Sequence, residues 1–389
     1  MLLANNAYPF DGRVSNEARS LVENGYRVTV VSKRDPGQTS RETLDGVHVR
    51  RFRLPGNPQG VLGYAFEFVY SAVACLGLSL AINVRQRFDA IHLHNPPDTL
   101  GVVGAFFRAL GKRVVFDHHD LSAEMYDQRF DGTNVLVKRA LRVFEGLCCR
   151  VADVVLVTNG SYRDYDIQRH GVEPSRIHVV RNGPLPVFLN PVEPDRRYAD
   201  GVDAVIGYVG TIGYQDRVDY LLRSIRHLVD DLGRKKVRCL IVGDGDALDT
   251  MRAVAAELGI GDYVVFTDRL NGDRLVSTVA AADICVVPDP SNPYNDRSTM
   301  IKVMEYMALG KPIVAYDLPE HRVTAGEAAL YVTPNDELEY ARAIAELMDD
   351  PARREAMGEL GRRRVDEQLR WDYSVPHLLG AYEQLLHRS

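Results

Sequence analysis

Short apolar, β-branched runs alternate with longer stretches of helical periodicity along almost the whole chain, and this alternation limits its fold more than any other feature. Runs at Arg27–Ser32, Asp89–His94, Arg113–Asp117, Asp153–Thr158 and Arg176–Arg181 are separated by helical patterns such as Val14–Asn24 and Val135–Val151. Strands that are apolar on both faces, joined by helix-length segments, belong to parallel sheets covered by helices on both sides. After Asn182-Gly183-Pro184 the pattern lapses. The stretch Leu185 to Asp203 is rich in proline and charge and has no period, which reads as a linker. The alternation then restarts with Ala204–Val209, Val237–Val242, Tyr263–Thr267, Ile284–Pro288, Pro312–Tyr316 and Ala329–Thr333. Its length of 389 residues suits two such domains at ~100–200 residues each.

Composition narrows the setting. A net charge of -6 gives no electrostatic reason to expect nucleic acid. Five cysteines, Cys75, Cys148, Cys149, Cys239 and Cys285, lie in apolar surroundings without metal-ligand spacing, as expected of thiols in a reducing, cytoplasmic compartment. The first six residues lack the basic flank and length of a signal peptide and read as a first strand. The longest apolar segment, Phe66 to Val84, is interrupted by Glu67 and reads as a buried or interfacial helix rather than a span. With Arg50-Arg51-Phe52-Arg53 it suits reversible contact with the inner membrane surface.

The stretch Asn295 to Pro312 is the most informative. Ser298 and Thr299 can cap a helix that Gly310 and Pro312 end, with Met300, Val303, Met304, Met307 and Ala308 facing the core. Ser298, Lys302 and Glu305 then share a flank, so the tip can hold an anion and the flank a polyol. The bland alternative is a surface helix with an ordinary Lys302–Glu305 pair. Open α/β sheets bind ligands beyond the carboxyl ends of their strands. That rule singles out His118, His119 and Asp120, then Gly210, Thr211, Ile212 and Gly213, then Gly243, Asp244 and Gly245. His92 and His94 share a strand face, but without a third ligand at suitable spacing they do not read as metal ligands.

Taken in order, Pro9-Phe10-Asp11-Gly12-Arg13-Val14, Asp117-His118-His119-Asp120, Arg181-Asn182-Gly183, Gly207-Tyr208-Val209-Gly210-Thr211, Val242-Gly243-Asp244-Gly245 and Glu305-Tyr306-Met307-Ala308-Leu309-Gly310-Lys311-Pro312 resemble the retaining glycosyltransferases of family 4, the glycosyl transferases group 1. The resemblance covers nearly the whole chain. It implies the GT-B fold, with two Rossmann-like domains facing across a cleft, residues 1–187 and 188–372, and a last helix within 373–389 returning to the first. It implies a UDP- or GDP-linked sugar as co-substrate, held mainly by the second domain, and a glycan or lipid-linked acceptor on the first, in polysaccharide or glycoconjugate assembly. No metal and no further cofactor are expected.

By the same resemblance Glu305 matches the acid that grips ribose hydroxyls, and His119 the histidine that approaches the donor sugar and phosphate. Two departures stand out. Arg297 occupies the position of the signature's first acid, with Asp296 beside it, so both are assigned to the catalytic set with His119. Thr211 and Asp216 stand where an arginine and a lysine are common, with Arg217 one place on. The diphosphate then leans on Arg217, Arg297, Lys302 and the N–H groups of Met300 and Ile301. Gly12, Gly210, Thr211, Gly243, Asp244, Ser298 and Thr299 complete the donor-binding set. Other readings on this fold are a sugar-nucleotide 2-epimerase and a non-catalytic subunit that binds the nucleotide sugar.

Overall fold

A computed structural model describes residues 1–56, 58, 60–130 and 134–387. The chain forms two compact units, Met1–Asn182 with Trp371–Ser389, and Gly183–Arg370. The breaks read from the sequence lie five and two residues further on, at 187 and 372.

The first unit runs β1 (Leu2–Ala7), α1 (Gly12–Glu23), β2 (Thr29–Lys33), β3 (Arg41–Leu44), β4 (Val47–Phe52), α2 (Gly60–Arg85), β5 (Ala90–His94), α3 (Leu100–Ala109), β6 (Arg113–His118), α4 (Ser122–Phe130), α5 (Val135–Val151), β7 (Val154–Val157), α6 (Gly160–His170) and β8 (Ile177–Val179). Its eight strands lie in the order β3-β4-β2-β1-β5-β6-β7-β8. All neighbours are parallel except β3 and β4, an edge hairpin. Asp45 and Gly46 form its two-residue turn with φ of 48° and 79°, the backbone that the Asp-Gly pair favours. Of the basic run, Arg50 and Arg51 lie in β4 and Arg53 follows it, exposed. Arg51 is buried in β4, where its guanidinium donates to the carbonyls of Tyr8 at 2.8 Å and Thr39 at 3.0 Å.

The second unit runs β9 (Ala204–Val209), α7 (Val218–Arg226), β10 (Val237–Val242), α8 (Leu248–Glu257), β11 (Val264–Phe266), α9 (Gly272–Ala280), β12 (Ile284–Val287), α10 (Ile301–Ala308), β13 (Ile313–Tyr316), α11 (Pro319–Ala325), β14 (Ala329–Val332), α12 (Glu337–Asp349) and α13 (Pro351–Arg364). Its sheet is wholly parallel, in the order β11-β10-β9-β12-β13-β14. Alternate residues feed two cores: Ile206 and Tyr208 of β9 pack on one face, Val205 and Val209 on the other. Both faces being covered, its strands read as unbroken apolar runs. The last helix, α14 (Val375–His387), belongs to the first unit. Leu378, Ala381 and Leu385 enter that unit's core, and Ser374 Oγ donates to Arg181 O at 2.8 Å. Residues 388 and 389 of the expected return segment lie outside the described residues.

Candidate active site

In the second sheet the strand order reverses between β9 and β12, and such a switch point leaves a crevice where the loops beyond the two strands part. Gly210 follows β9, and Asp289 lies just beyond β12. The β9 and β10 loops are locked together by their backbones. Gly210 N–H donates to Val242 O at 3.1 Å, Ile212 N–H to Asp244 O at 3.0 Å, and Ala247 N–H to Ile212 O at 2.9 Å. A Cβ at Gly243 would lie 1.9 Å from Gly210 O, and one at Gly245 2.3 Å from Ile212 O, so only glycine permits this approach. Gly210, Gly243 and Asp244 are thereby brought together. Thr211 is exposed at the rim, its carbonyl receiving the Tyr208 hydroxyl at 3.1 Å.

Lys302 reaches into this crevice from the first turn of α10. Its ammonium donates to both oxygens of Asp289, at 3.0 and 3.1 Å, and lies 4.7 Å from the Tyr208 ring centroid. Burial alone would lower its pKa, but Asp289, Tyr208 and Asp216 outweigh that and hold it above the usual lysine range. Asp216 accepts the Gly213 N–H at 3.0 Å, and burial pushes its carboxyl up to about 6 against the pull of Lys302. One turn along α10, Glu305 is 6% exposed. Burial raises its carboxyl to about 7, opposed by the backbone N–H of Leu185 and the charge of Lys302. A carboxylate offers about four acceptor positions, so room remains for hydroxyl donors.

The start of α10 differs from expectation. The helix begins at Ile301 with Met300 as its cap residue, and neither Ser298 nor Thr299 caps it. Their hydroxyls are drawn elsewhere, Ser298 Oγ to Tyr294 O at 2.9 Å and Thr299 Oγ1 to Glu320 at 3.4 Å. The first-turn N–H groups of Ile301 and Lys302 still have no intrahelical acceptor, as at any helix start. Asp296 and Arg297 sit in the loop before α10. Asp296 accepts the Ser291 hydroxyl at 3.3 Å, and its Oδ1 is buried without a partner among the described residues. Arg297 donates to Pro293 O at 2.7 Å. Arg217 turns to its own helix: it binds both oxygens of Asp219 at 3.0 and 3.1 Å and stacks on Tyr220 at 4.9 Å.

Two residues that the sequence reading passed over belong to the same crevice. Asp289 is the partner of Lys302. His321, at the start of α11, has Nδ1 2.9 Å from Tyr316 O, which makes that nitrogen the donor. Burial lowers its pKa, and Asp289, Lys302 and Asp296 all act on it. Its Nε2 is left as a buried acceptor without a partner among the described residues.

The first sheet reverses between β1 and β5. Asn95, just past β5, accepts the N–H groups of His119 at 3.0 Å and Asp120 at 3.2 Å and so fixes the turn after β6. His119 Nδ1 lies 3.3 Å from Asp117. Burial would lower the histidine, but Asp117 and Asp120 prevail and raise it above the usual imidazole value. Behind it, Arg13 binds Asp117 at 2.6 and 2.7 Å, Val180 O at 2.8 Å and Asn182 at 2.9 Å. Gly12 opens α1 beneath the Asp11 side chain, which accepts the Arg13 and Val14 N–H groups at 3.1 Å. The third ligand missing for His92 and His94 is supplied by the fold, since Glu17 and Asp117 bring carboxylate oxygens close to both imidazoles. Arg13 stands among them, 3.4 Å from Glu17, so this buried set already holds a fixed cation.

Residues 12–183 match the glycosyl transferase 4-like domain and residues 203–350 the glycosyl transferases group 1. The chain belongs to the group 1 glycosyltransferases. An uncharacterized glycosyltransferase of Methanocaldococcus jannaschii is 24% identical to it over 387 residues, 94% of this chain and 92% of that one. Among solved structures, sucrose-phosphate synthase from Thermosynechococcus elongatus superposes with a TM-score of 0.81 at 20% identity, covering 100% of this glycosyltransferase and 99% of that chain. Anabaena HepE in complex with UDP-glucose superposes with a TM-score of 0.71 at 16% identity over 98% of each chain. The fold of this glycosyltransferase is GT-B.

Proposed function

We propose that this glycosyltransferase moves a sugar from a UDP- or GDP-linked donor to a glycan or lipid-linked acceptor, with retention at the anomeric carbon. The observation that carries the reading is the switch point of the second sheet, where a desolvated Glu305 carboxylate lies one helical turn from a buried Lys302. Glu305 would receive the ribose hydroxyls, as the resemblance implies. Lys302 and the N–H groups at the tip of α10 face the leaving diphosphate, and His321 Nε2 offers an acceptor to a donor hydroxyl. Transfer with retention through an oxocarbenium-like transition state builds negative charge on that diphosphate, and fixed donors in a dry crevice stabilise it. His119 is the histidine that the resemblance assigns to the donor sugar and phosphate. HepE's complex with UDP-glucose, on the same fold, supports the donor class. The buried free cysteines accord with a reducing, cytoplasmic compartment.

A second reading, a subunit that binds a nucleotide sugar without turning it over, is favoured by Asp216, a half-buried acid in the field of Lys302 where the family often carries a cation. Incubation with a panel of UDP and GDP sugars and glycan acceptors separates the two. Transfer product with the donor's anomeric configuration, lost in Lys302→Met, supports the enzyme. Tight nucleotide binding with no product across the panel supports the binding subunit.

A further inference from the structure

Helix α2 is built inside out. Its buried face, every fourth residue, is Glu67, Ser71, Cys75 and Ser79. Glu67 accepts from Asn5 at 2.9 Å and pairs with Lys33 at 3.4 Å, and Ser71 donates to Asn5 at 2.7 Å. The opposite face carries Leu62, Phe66, Val69, Val73, Leu80 and Val84 in one exposed stripe, with exposures of 86% at Leu62, 65% at Val73 and 85% at Val84. At 1.5 Å per residue the stripe is about 33 Å long. Packed beside α2, α3 exposes Val102, Phe106 and Leu110; beside α3, α5 exposes Val135, Leu136 and Val143. Apolar patches beyond a few hundred Å² mark an interaction surface.

Charge selects the occupant. The only acids within the three helices are Glu67 and Glu145, both buried, whereas Arg85, Arg108, Lys138, Arg139, Arg142 and Arg150 are all basic. Arg108, Lys138 and Arg142 are shared with Asp153, Asp127 and Glu124 of neighbouring elements. Arg85, Arg139 and Arg150 are exposed and form no ion pair among the described residues. This face is thus basic in a chain of net charge -6. A second copy would set two basic rims against each other. A bilayer with anionic headgroups offers an apolar phase to the stripe and negative charge to the rim. The bonds of Glu67 and Ser71 with Asn5 of β1 hold the polar face of α2 against the sheet and leave the apolar stripe outward.

We propose that the outer face of α2, with the adjoining faces of α3 and α5, rests on an anionic lipid bilayer. The test is co-sedimentation of the full chain with phosphatidylcholine vesicles, with and without phosphatidylglycerol. Binding is expected to be at least ~10-fold stronger to the anionic vesicles and to weaken as salt is raised. Val69→Glu/Val73→Glu, on the exposed stripe, should abolish it while the thermal unfolding curve stays in place. Arg139→Glu/Arg150→Glu, which leaves the stripe intact, should remove the preference for phosphatidylglycerol. Absence of vesicle binding by the wild-type chain overturns the proposal. So does vesicle binding unchanged in Val69→Glu/Val73→Glu, with gel filtration showing instead that the substitution dissociates a dimer.

Discussion

The switch points of the two sheets use the same materials, a cation among desolvated carboxylates, and differ in how many partners hold that cation. In the first unit Arg13 is satisfied on every side by Asp117, Glu17, Asn182 and the Val180 carbonyl. In the second, Lys302 is paired with Asp289, but Glu305 stays desolvated with its carboxyl raised to about 7, and Asp216 with its own raised to about 6. Arg13 ties the first set together with its four partners, although burial and Asp117 also raise Glu17, whose Oε1 accepts no hydrogen bond among the described residues. An acid kept dry with acceptor positions to spare is a site prepared for hydroxyl donors, and it costs stability until they arrive.

The largest effect should come from removing the cation of the first set. Arg13→Met strands Asp117 and Glu17 without their cation and is expected to lower the unfolding free energy by ~3–5 kcal/mol in urea titration. Glu305→Gln should do the reverse. A raised carboxyl favours the folded state fully below its unfolded pKa, and that contribution is lost as pH rises through about 7. The glutamine variant, which does not ionise, should therefore match wild type near pH 4 and exceed it by up to ~3 kcal/mol at pH 8, read from unfolding curves at the two pH values. The same titration should govern nucleoside binding. Uridine or guanosine, which carry no phosphate to meet Asp216, should bind up to ~10-fold more weakly per pH unit below about 7 as Glu305 takes up its proton. The smallest effect belongs to Arg217. Already held by Asp219 on an exposed surface, it should change stability by under ~0.5 kcal/mol as alanine, with nucleotide affinity within about threefold of wild type.

Much of this contrast was legible in the residues. The paired sheets follow from the alternation of apolar runs and helical periods, because a parallel strand covered on both faces cannot hide its composition. The crevice glycines were legible too, since strand ends are where such sheets bind, and the same rule applied to β12 would have found Asp289. The edge hairpin was missed although Asp45-Gly46 and the alternation Val47-His48-Val49-Arg50 both signal it, because β3 is four residues long and mostly polar. The start of α10 was misplaced for another reason. Serine and threonine are good caps by type, but which acceptor their hydroxyls choose depends on Tyr294 and Glu320, contacts made only by the folded loop. Arg217 and Asp216 show the same limit for charge: adjacent in sequence, one pairs with its own helix and the other points to Lys302.

The claim that Glu305 is kept dry for the donor is tested most directly by calorimetric titration of UDP and GDP into wild type and Glu305→Gln at pH 8. Whichever nucleotide binds the wild type should bind the variant at least ~10-fold more weakly, even though the variant unfolds at a higher temperature. Equal affinity in the two proteins would contradict the account and leave Glu305 as a buried acid with a structural role alone.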